Sequence, residues 1–304
     1  MKPLISIIVP TFNRAKTISR TIDSILCQTY DNLEIVVVED GSTDETIKVL
    51  RKYDDMRLRI VYHEHNKGVT SAKNTGLKNI RGEWFTIVDS DDEIVPEALE
   101  VMMKIPLEKD ATVTAISCNC IDSVSGKLCG IGLSSDQYVD FQTINKCSGD
   151  FWGLTKTELL LNDKFNESLS GWENVLWYVI NERANRYYIH KALSIVHTEG
   201  SDRVSKYRFS KSKTSLHYRS LSEETHYLET MKTITPHAFA KDCLLAVVYL
   251  ISDNKKEYSK VFYNYLQSFK NYRFYKLIGF IAFHSNPLLM NITIKLLKFK
   301  KKYF

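Results

Sequence analysis

Short apolar runs, each stopped by a polar or glycine-bearing turn, punctuate the first third of the chain. Leu4 to Val9 is an apolar run ending at Pro10-Thr11-Phe12-Asn13, the pattern of a buried strand followed by a loop. From Arg14 to Gln28, Ile18, Ile22, Ile25 and Leu26 recur at helical spacing with polar residues between them. Glu34 to Val38 is a second buried strand. It stops at Glu39-Asp40-Gly41-Ser42-Thr43-Asp44, where glycine permits a turn and Ser42 or Thr43 can cap the next helix. Leu58 to Tyr62 reads as a half-buried strand, and a helix from about Thr70 to Ile80 leads into a strand from Trp84 to Val88. This alternation predicts an α/β fold with a mostly parallel sheet and right-handed crossovers. Its ligand crevice would lie at the carboxyl ends of the strands, where Asp40 and Asp89 both fall.

The last of these strands runs straight into Asp89-Ser90-Asp91-Asp92. Like charges at the end of a buried strand repel and resist desolvation unless a cation receives them. A solvated acidic turn ahead of a helix, with Pro96 in its first turn, accounts for Asp92 and Glu93. Asp89 and Asp91, flanking a small residue, fit a divalent cation carrying phosphates better.

With 304 residues, 44% of them hydrophobic and 25% charged, the chain has room for a large α/β domain and a smaller addition. Six cysteines without CxxC or disulfide-framework spacing read as reduced thiols of a cytosolic protein, and Cys118 and Cys120 as strand alternation. The N-terminus lacks signal-peptide architecture. Charge is distributed unevenly. Residues 1–205 carry 23 Lys and Arg against 30 Asp and Glu, a balance of −7, whereas residues 206–304 carry 18 against 6, a balance of +12. No GxxxxGK[ST] loop is present and no GxGxxG follows the first strand, so two common nucleotide-binding patterns drop out. An acidic first two-thirds also argues against nucleic acid as a partner.

Later segments are less regular. Ala111 to Ser117 and Phe151 to Leu154 read as strands, and residues 206–304 as helical. Phe165-Asn166-Glu167-Ser168-Leu169-Ser170-Gly171-Trp172-Glu173-Asn174 precedes a helical stretch, and Val196-His197-Thr198-Glu199-Gly200-Ser201-Asp202-Arg203 forms a polar loop.

Several segments occur in an order that is specific even though each is weak alone. They are Ser6 to Arg14, Ile25 to Tyr30, Glu39 to Asp44, Asn66-Lys67-Gly68, Ala72 to Leu77, Gly82-Glu83-Trp84 and Asp89 to Asp92. On these, residues 1 to about 205 resemble a family 2 glycosyltransferase with the GT-A fold, of the non-processive bacterial polysaccharide or glycolipid type. The division expected is a GT-A domain over 1–205, with the nucleotide side to about 120 and the acceptor side after it, and a helical basic region over 206–304.

The resemblance implies an inverting transfer of one hexosyl or N-acetylhexosaminyl unit. The donor would be a nucleotide sugar, usually UDP-linked, and the acceptor a glycan or polyprenyl-linked oligosaccharide in surface-polysaccharide synthesis. It implies a divalent cation, Mn²⁺ or Mg²⁺. Asp40 matches the position that reads the uracil edge, against a local role in closing the Gly41 turn. Pro10 and Thr11 match the wall of the nucleoside slot, and Asn13, Asn66 and Ser90 fall in the matched nucleotide-sugar segments. Lys73 matches a basic position near the nucleotide, although a lone helical lysine commonly faces solvent. Asp89 matches the ribose contact and Asp91 the metal ligand, with Asp92 its competitor. His197 matches a metal or diphosphate contact, against a structural role, and Arg203 a group that neutralises the diphosphate. The family often carries a second acid where this chain has Asn174, so the role of general base passes to Glu173, whose alternative is helix-dipole stabilisation. Asn174 also favours a rival reading, a catalytically silent GT-A binding subunit. The enzymatic rival is a nucleotidyltransferase.

The end of the chain adds one expectation. No Asp or Glu occurs from Tyr258 to Phe304. Tyr258, Val261, Phe262, Tyr265, Leu266, Phe269 and Tyr272 outline an amphipathic helix suited to packing, and Ser285-Asn286-Pro287 a further helix start. Leu288, Leu289, Ile292, Leu296 and Leu297 beside Lys295, Lys298 and Lys300 to Lys302 suit a helix lying on an anionic membrane. The expected location is the cytoplasm, with peripheral contact to the cytoplasmic face of the inner membrane.

Overall fold

The computed structural model describes residues 2–169, 174–198 and 211–290, in two compact units, Met1–Ser201 and Asp202–Phe304. In the first unit the order is β1 (Ile5–Thr11), α1 (Ile18–Leu26), β2 (Leu33–Glu39), α2 (Thr46–Leu50), β3 (Leu58–Tyr62), α3 (Val69–Asn79) and β4 (Trp84–Ile87). There follow β5 (Glu93–Ile94), α4 (Ala98–Lys104), β6 (Ala115–Asp122), β7 (Gln137–Val139), α5 (Phe141–Ile144), β8 (Phe151–Lys156), α6 (Asn174–Arg183) and β9 (Arg186–Val196). The sheet runs β3-β2-β1-β4-β8-β6-β9-β5, with β7 also paired to β9. Its first four strands are mutually parallel, as the buried apolar runs require, and β8 enters antiparallel between β4 and β6.

Ile5, Ile7 and Val9 of β1 and Ile35 and Val37 of β2 face one side of this sheet, against Ile18, Ile22 and Ile25 of α1. Ile8 faces the other side with Phe85. There α3 comes so near that a Cβ on Gly76 would stand 2.3 Å from Ile8 Cγ2.

Two strands depart from the sequence expectation. The run 111–117 reads as β, yet β6 begins only at Ala115, because Asp110 Oδ1 accepts from the Thr112 N–H at 2.9 Å and closes a turn first. The longest strand, β9, has no clean alternating signature. Its register against β6 jumps from Cys118↔Ile189 to Asn119↔Ala192, so exposed His190 and Lys191 bulge out and break the period. None of the six cysteines forms a disulfide. Cys118 lies in the core of β6, where burial raises its thiol pKa to about 12.

At the amino ends of the strands, the buried Glu34 accepts from Ser6 Oγ at 2.6 Å, Arg81 N–H at 2.6 Å and Arg81 Nε at 2.9 Å. Burial raises its pKa, and these hydrogen bonds with the Arg81 charge outweigh that, leaving it below the ordinary carboxylate range. A depressed folded-state pKa stabilises above the unfolded value and loses that contribution as pH falls through the folded one. Glu34→Ala is therefore expected to cost about 2–3 kcal/mol at neutral pH, with a smaller penalty in acid. Thermal melts across pH check this; an equal loss at every pH would contradict it.

The second unit contains α7 (Lys211–Leu221), α8 (Thr225–Ile234), α9 (Pro236–Ser252), α10 (Lys256–Ser268) and α11 (Arg273–His284). Central α9 buries Phe239, Cys243, Val247 and Leu250, and α10 buries Phe262 and Leu266. The amphipathic run beginning at Tyr258 packs as expected, but its helix ends at Ser268. Phe269 turns extended and Tyr272 adopts φ +63°, which redirects the chain into α11. Residues 287–290 are helical, and Asn286 Oδ1 accepts from the Leu289 N–H at 3.0 Å, so the expected helix start is formed. Residues 291–304, including Ile292 to Lys302 of the expected membrane helix, lie outside the described residues.

Candidate active site at the carboxyl ends of the parallel strands

The loops leaving β1 and β2 are fastened to one another. Asn13 takes φ +52°, a conformation asparagine tolerates. Its Oδ1 accepts from Thr43 N–H at 2.8 Å, and its N–H donates to Ser42 Oγ at 2.9 Å. Arg14 N–H donates to Thr46 Oγ1 at 2.8 Å. The turn through Gly41 is closed by Glu39, whose Oε1 accepts from Ser42 N–H at 2.7 Å. Gly41 itself sits at φ +69°, and a Cβ there would stand 2.5 Å from the His65 carbonyl carbon and 2.7 Å from Asn66 N. Only glycine fits.

Asp40 does something other than close this turn. It is 2% exposed, and its Oδ1 lies 2.6 Å from His63 Nδ1 and accepts from Lys67 N–H at 2.9 Å. Oδ2 accepts from Gly68 N–H at 2.9 Å, at the N-terminus of α3. His63 Nε2 lies 2.9 Å from Thr75 Oγ1. The Asp40 N–H donates to Thr11 O at 2.8 Å, which joins the two residues matched to the nucleoside slot. Pro10 is buried in β1 opposite Val38, and Asn66 is exposed on the loop that Asp40 holds.

From α3, Lys73 reaches back to the acidic loop. Its side chain is 13% exposed and Nζ lies 3.8 Å from Asp89 Oδ1, so this lysine does not face solvent. Next to it the buried Asn74 accepts from Phe165 N–H at 2.9 Å and donates to Phe165 O at 2.9 Å and Glu167 Oε1 at 3.0 Å. It thus holds the segment leading toward α6. Trp177 of α6 stacks on Phe85 at 6.4 Å and meets Phe165 edge-on at 5.8 Å. Glu173, immediately before α6, and Arg203 lie outside the described residues.

The acidic loop is gripped by α1 through its backbone. Thr17 Oγ1 donates to Ser90 O at 3.0 Å, Arg20 Nη2 to Asp91 O, and Thr21 Oγ1 to Asp92 O at 2.7 Å. Three successive carbonyls are therefore taken by residues i, i+3 and i+4 of one helix face. Ser90 is buried and Asp89 is 58% exposed in its side chain. Asp91 Oδ2 lies 3.6 Å from Arg14 Nη2. From the far side, β5 pairs with the end of β9 and brings in His197. Its N–H donates to Asp92 Oδ1 at 2.9 Å, and its Nε2 lies 2.7 Å from Glu93 Oε1, which also faces Arg20 Nε at 3.4 Å.

Arg14, Thr17, Arg20, Thr21 and His63 were not singled out from sequence. Polar residues at i, i+3 and i+4 on an otherwise apolar helix were the available signal for three of them. A hard cation suits the carboxylate oxygens of Asp91, and a cation bound by one or two carboxylates plus substrate phosphates is ordinary chemistry for Mg²⁺. Among the described residues no three His, Cys, Asp or Glu side chains converge as a metal cage. The Asp91 carboxylate is thus of a chemistry that fits a cation whose other ligands are phosphate oxygens.

A parallel half with carboxylates at its strand ends, continued into a mixed second half, is the GT-A architecture of glycosyltransferases. The fold of S. aureus TarS in complex with UDP-GlcNAc is similar, at a TM-score of 0.65 and 21% identity over 88% of this chain and 81% of that one. So is that of a mannosyltransferase from Pyrobaculum calidifontis in complex with GDP-Man and Mn²⁺, at 0.52 and 20% over 95% and 88%. The family model for glycosyl transferase family 2 matches residues 6–129. A Campylobacter jejuni GalNAc(5)-diNAcBac-PP-undecaprenol beta-1,3-glucosyltransferase is 36% identical over 213 residues, 67% of each chain. An uncharacterized glycosyltransferase of Haemophilus influenzae is 28% identical over 97% of this chain and 96% of its own. This chain belongs to glycosyltransferase family 2.

Proposed function

We propose that the chain is an inverting glycosyltransferase that moves one sugar from a UDP-linked donor to a glycan or polyprenyl-linked acceptor in surface-polysaccharide or glycolipid synthesis. One observation carries this reading. Asp40 follows β2 and Asp89 and Asp91 follow β4, the two parallel strands that flank β1, with Lys73 and Arg14 3.8 and 3.6 Å from the latter two. Basic groups and carboxylates so interleaved suit a nucleoside diphosphate, whose charge must be balanced and whose ribose must be held. The lipid-linked acceptor is supported by the undecaprenol substrate in the C. jejuni relative's name, and the UDP donor by the ligand named for TarS.

In this mechanism Thr11 and the loop held by Asp40 wall the nucleoside, and Asp40 has acceptor capacity left on Oδ2 for the base edge. Asp89 holds the ribose and Lys73 the adjoining phosphate. Asp91 would hold Mn²⁺ or Mg²⁺, with Asp92 and His197 the other candidates, and the cation when bound would supply charge stabilisation to the diphosphate. Arg14 and Arg203 add fixed positive charge there. Glu173 removes the proton of the acceptor hydroxyl as its oxygen attacks the anomeric carbon opposite the diphosphate. A panel of nucleotide sugars with a polyprenyl-linked acceptor tests the reading, and the expected products are a glycosylated acceptor and free UDP. Pyrophosphate as product would establish nucleotidyl transfer instead. Donor binding without any turnover would favour the silent subunit to which Asn174 points.

A further inference from the structure

We propose that the outward face of α11 is a membrane-docking surface that lies among the headgroups of an anionic bilayer. The fully buried residues of this helix are small. Its small residues Gly279 and Ala282 are buried, and a Cβ on Gly279 would stand 2.4 Å from the Leu266 side chain of α10. Ile278 and Phe283 are half-buried, Phe283 stacked on Tyr263 at 4.4 Å, but four large apolar residues point outward: Phe274 is 69% exposed, Leu277 59%, Phe280 50% and Ile281 55%. They fall on one stripe of the helix, and Leu288 and Leu289, 75% and 53% exposed, follow it in sequence. Scattered exposed apolar residues need no explanation, but a contiguous stripe marks an interaction surface.

Charge selects the occupant. Lys270 and Arg273 are exposed where α11 begins, and the chain from Tyr258 to Phe304 has no acid anywhere, while Lys295, Lys298 and Lys300 to Lys302 follow in sequence. Residues 206–304 carry a net +12, so a second copy of this face would meet like charge, whereas anionic lipid meets opposite charge. Tyr272 and Tyr275, 6.1 Å apart, border a hollow of about 250 Å³ with His237 and Phe274. Such amphipathic rings suit the level of the headgroups. Among the described residues no helix is long and apolar enough to cross a membrane, so α11 would lie in the interface plane. The surface assigned here is distinct from the lysine-rich stretch after Met290. It extends the reading of a polyprenyl-linked acceptor and rests on that reading only for the use to which docking is put.

The test is co-sedimentation of the full-length protein with vesicles of phosphatidylcholine, alone or mixed with phosphatidylglycerol, at low salt and without donor or acceptor. The wild type is expected to pellet with the mixed vesicles and to stay in solution with the neutral ones. Phe274→Ser, Leu277→Ser and Ile281→Ser combined should lower the partition coefficient about tenfold or more. Because all three side chains are exposed, the circular-dichroism melt should be unchanged. Undiminished binding by the triple variant would overturn the proposal, as would a wild type that ignores anionic vesicles. Sedimentation velocity showing a wild-type dimer that the variant dissolves would assign the face to self-association and equally overturn it. Transfer to a water-soluble acceptor, assayed without lipid, reports separately on the glycosyltransferase reading and should be equal in both proteins.

Discussion

Asp91→Asn is expected to remove the effect of Mn²⁺ or Mg²⁺ on UDP binding, so that affinity with metal falls to that measured in EDTA. Loss of a ligand carboxylate should weaken the cation by about 100-fold or more, and transfer by about 10²–10³-fold, the range for lost electrostatic stabilisation of developing charge. The change keeps side-chain shape. The Asp91 carbonyl stays with Arg20, and relief of the carboxylate leaves Arg14 in a partly solvated setting. The melting temperature should accordingly hold. Isothermal titration of UDP into wild type and variant, with Mn²⁺ and with EDTA, makes the comparison. A wild type whose UDP affinity is indifferent to EDTA would end the metal assignment. Asp89→Asn behaves differently on this scheme: it should weaken UDP with and without metal, because it serves the ribose.

The second large effect is at Glu173. Glu173→Gln should reduce transfer by about 10²–10⁴-fold, the contribution of a positioned general base, with donor affinity intact. Single-turnover transfer and UDP titration on the same sample separate the two quantities, and near-normal turnover would move the base elsewhere. Asn174→Asp is the companion variant, since Asn174 heads α6 and is exposed. Faster transfer in it would mark the wild-type site as weakened relative to the two-acid pattern of the family.

The parallel half was legible because β1, β2 and β4 are buried and read as nearly continuous apolar runs beside the half-buried β3, and because Gly41 and Gly68 sit where only glycine is comfortable, at φ +69° and +94°. The carboxylates stood out for the same reason, as charges where such runs end. β9 was hidden by its bulge at His190-Lys191, which destroys the two-residue period. The grip of α1 on the acidic loop was also hidden. Thr17, Arg20 and Thr21 act on backbone carbonyls more than sixty residues away, and no local pattern encodes a partner so distant. Asp40 shows a subtler limit. Its residue type and position pointed to a ligand, and a local bond at Gly41 was the alternative, yet its bonds go to His63, Lys67 and Gly68.

The insertion of β8 between β4 and β6 bears on how the chain is made. During synthesis β1 to β4 can pair as soon as residues 84–87 have emerged, since β1 already sits between β2 and β4. The outer edge of β4, however, receives its partner only when Phe151–Lys156 arrives, and Trp84↔Lys156 and Phe85↔Thr155 close it. Throughout that interval an apolar strand edge running into Asp89-Ser90-Asp91-Asp92 is uncovered on the nascent chain, a template for wrong pairing. The same strand that completes the sheet therefore ends its most aggregation-exposed period, and a ribosome pause before residue 151 would lengthen it.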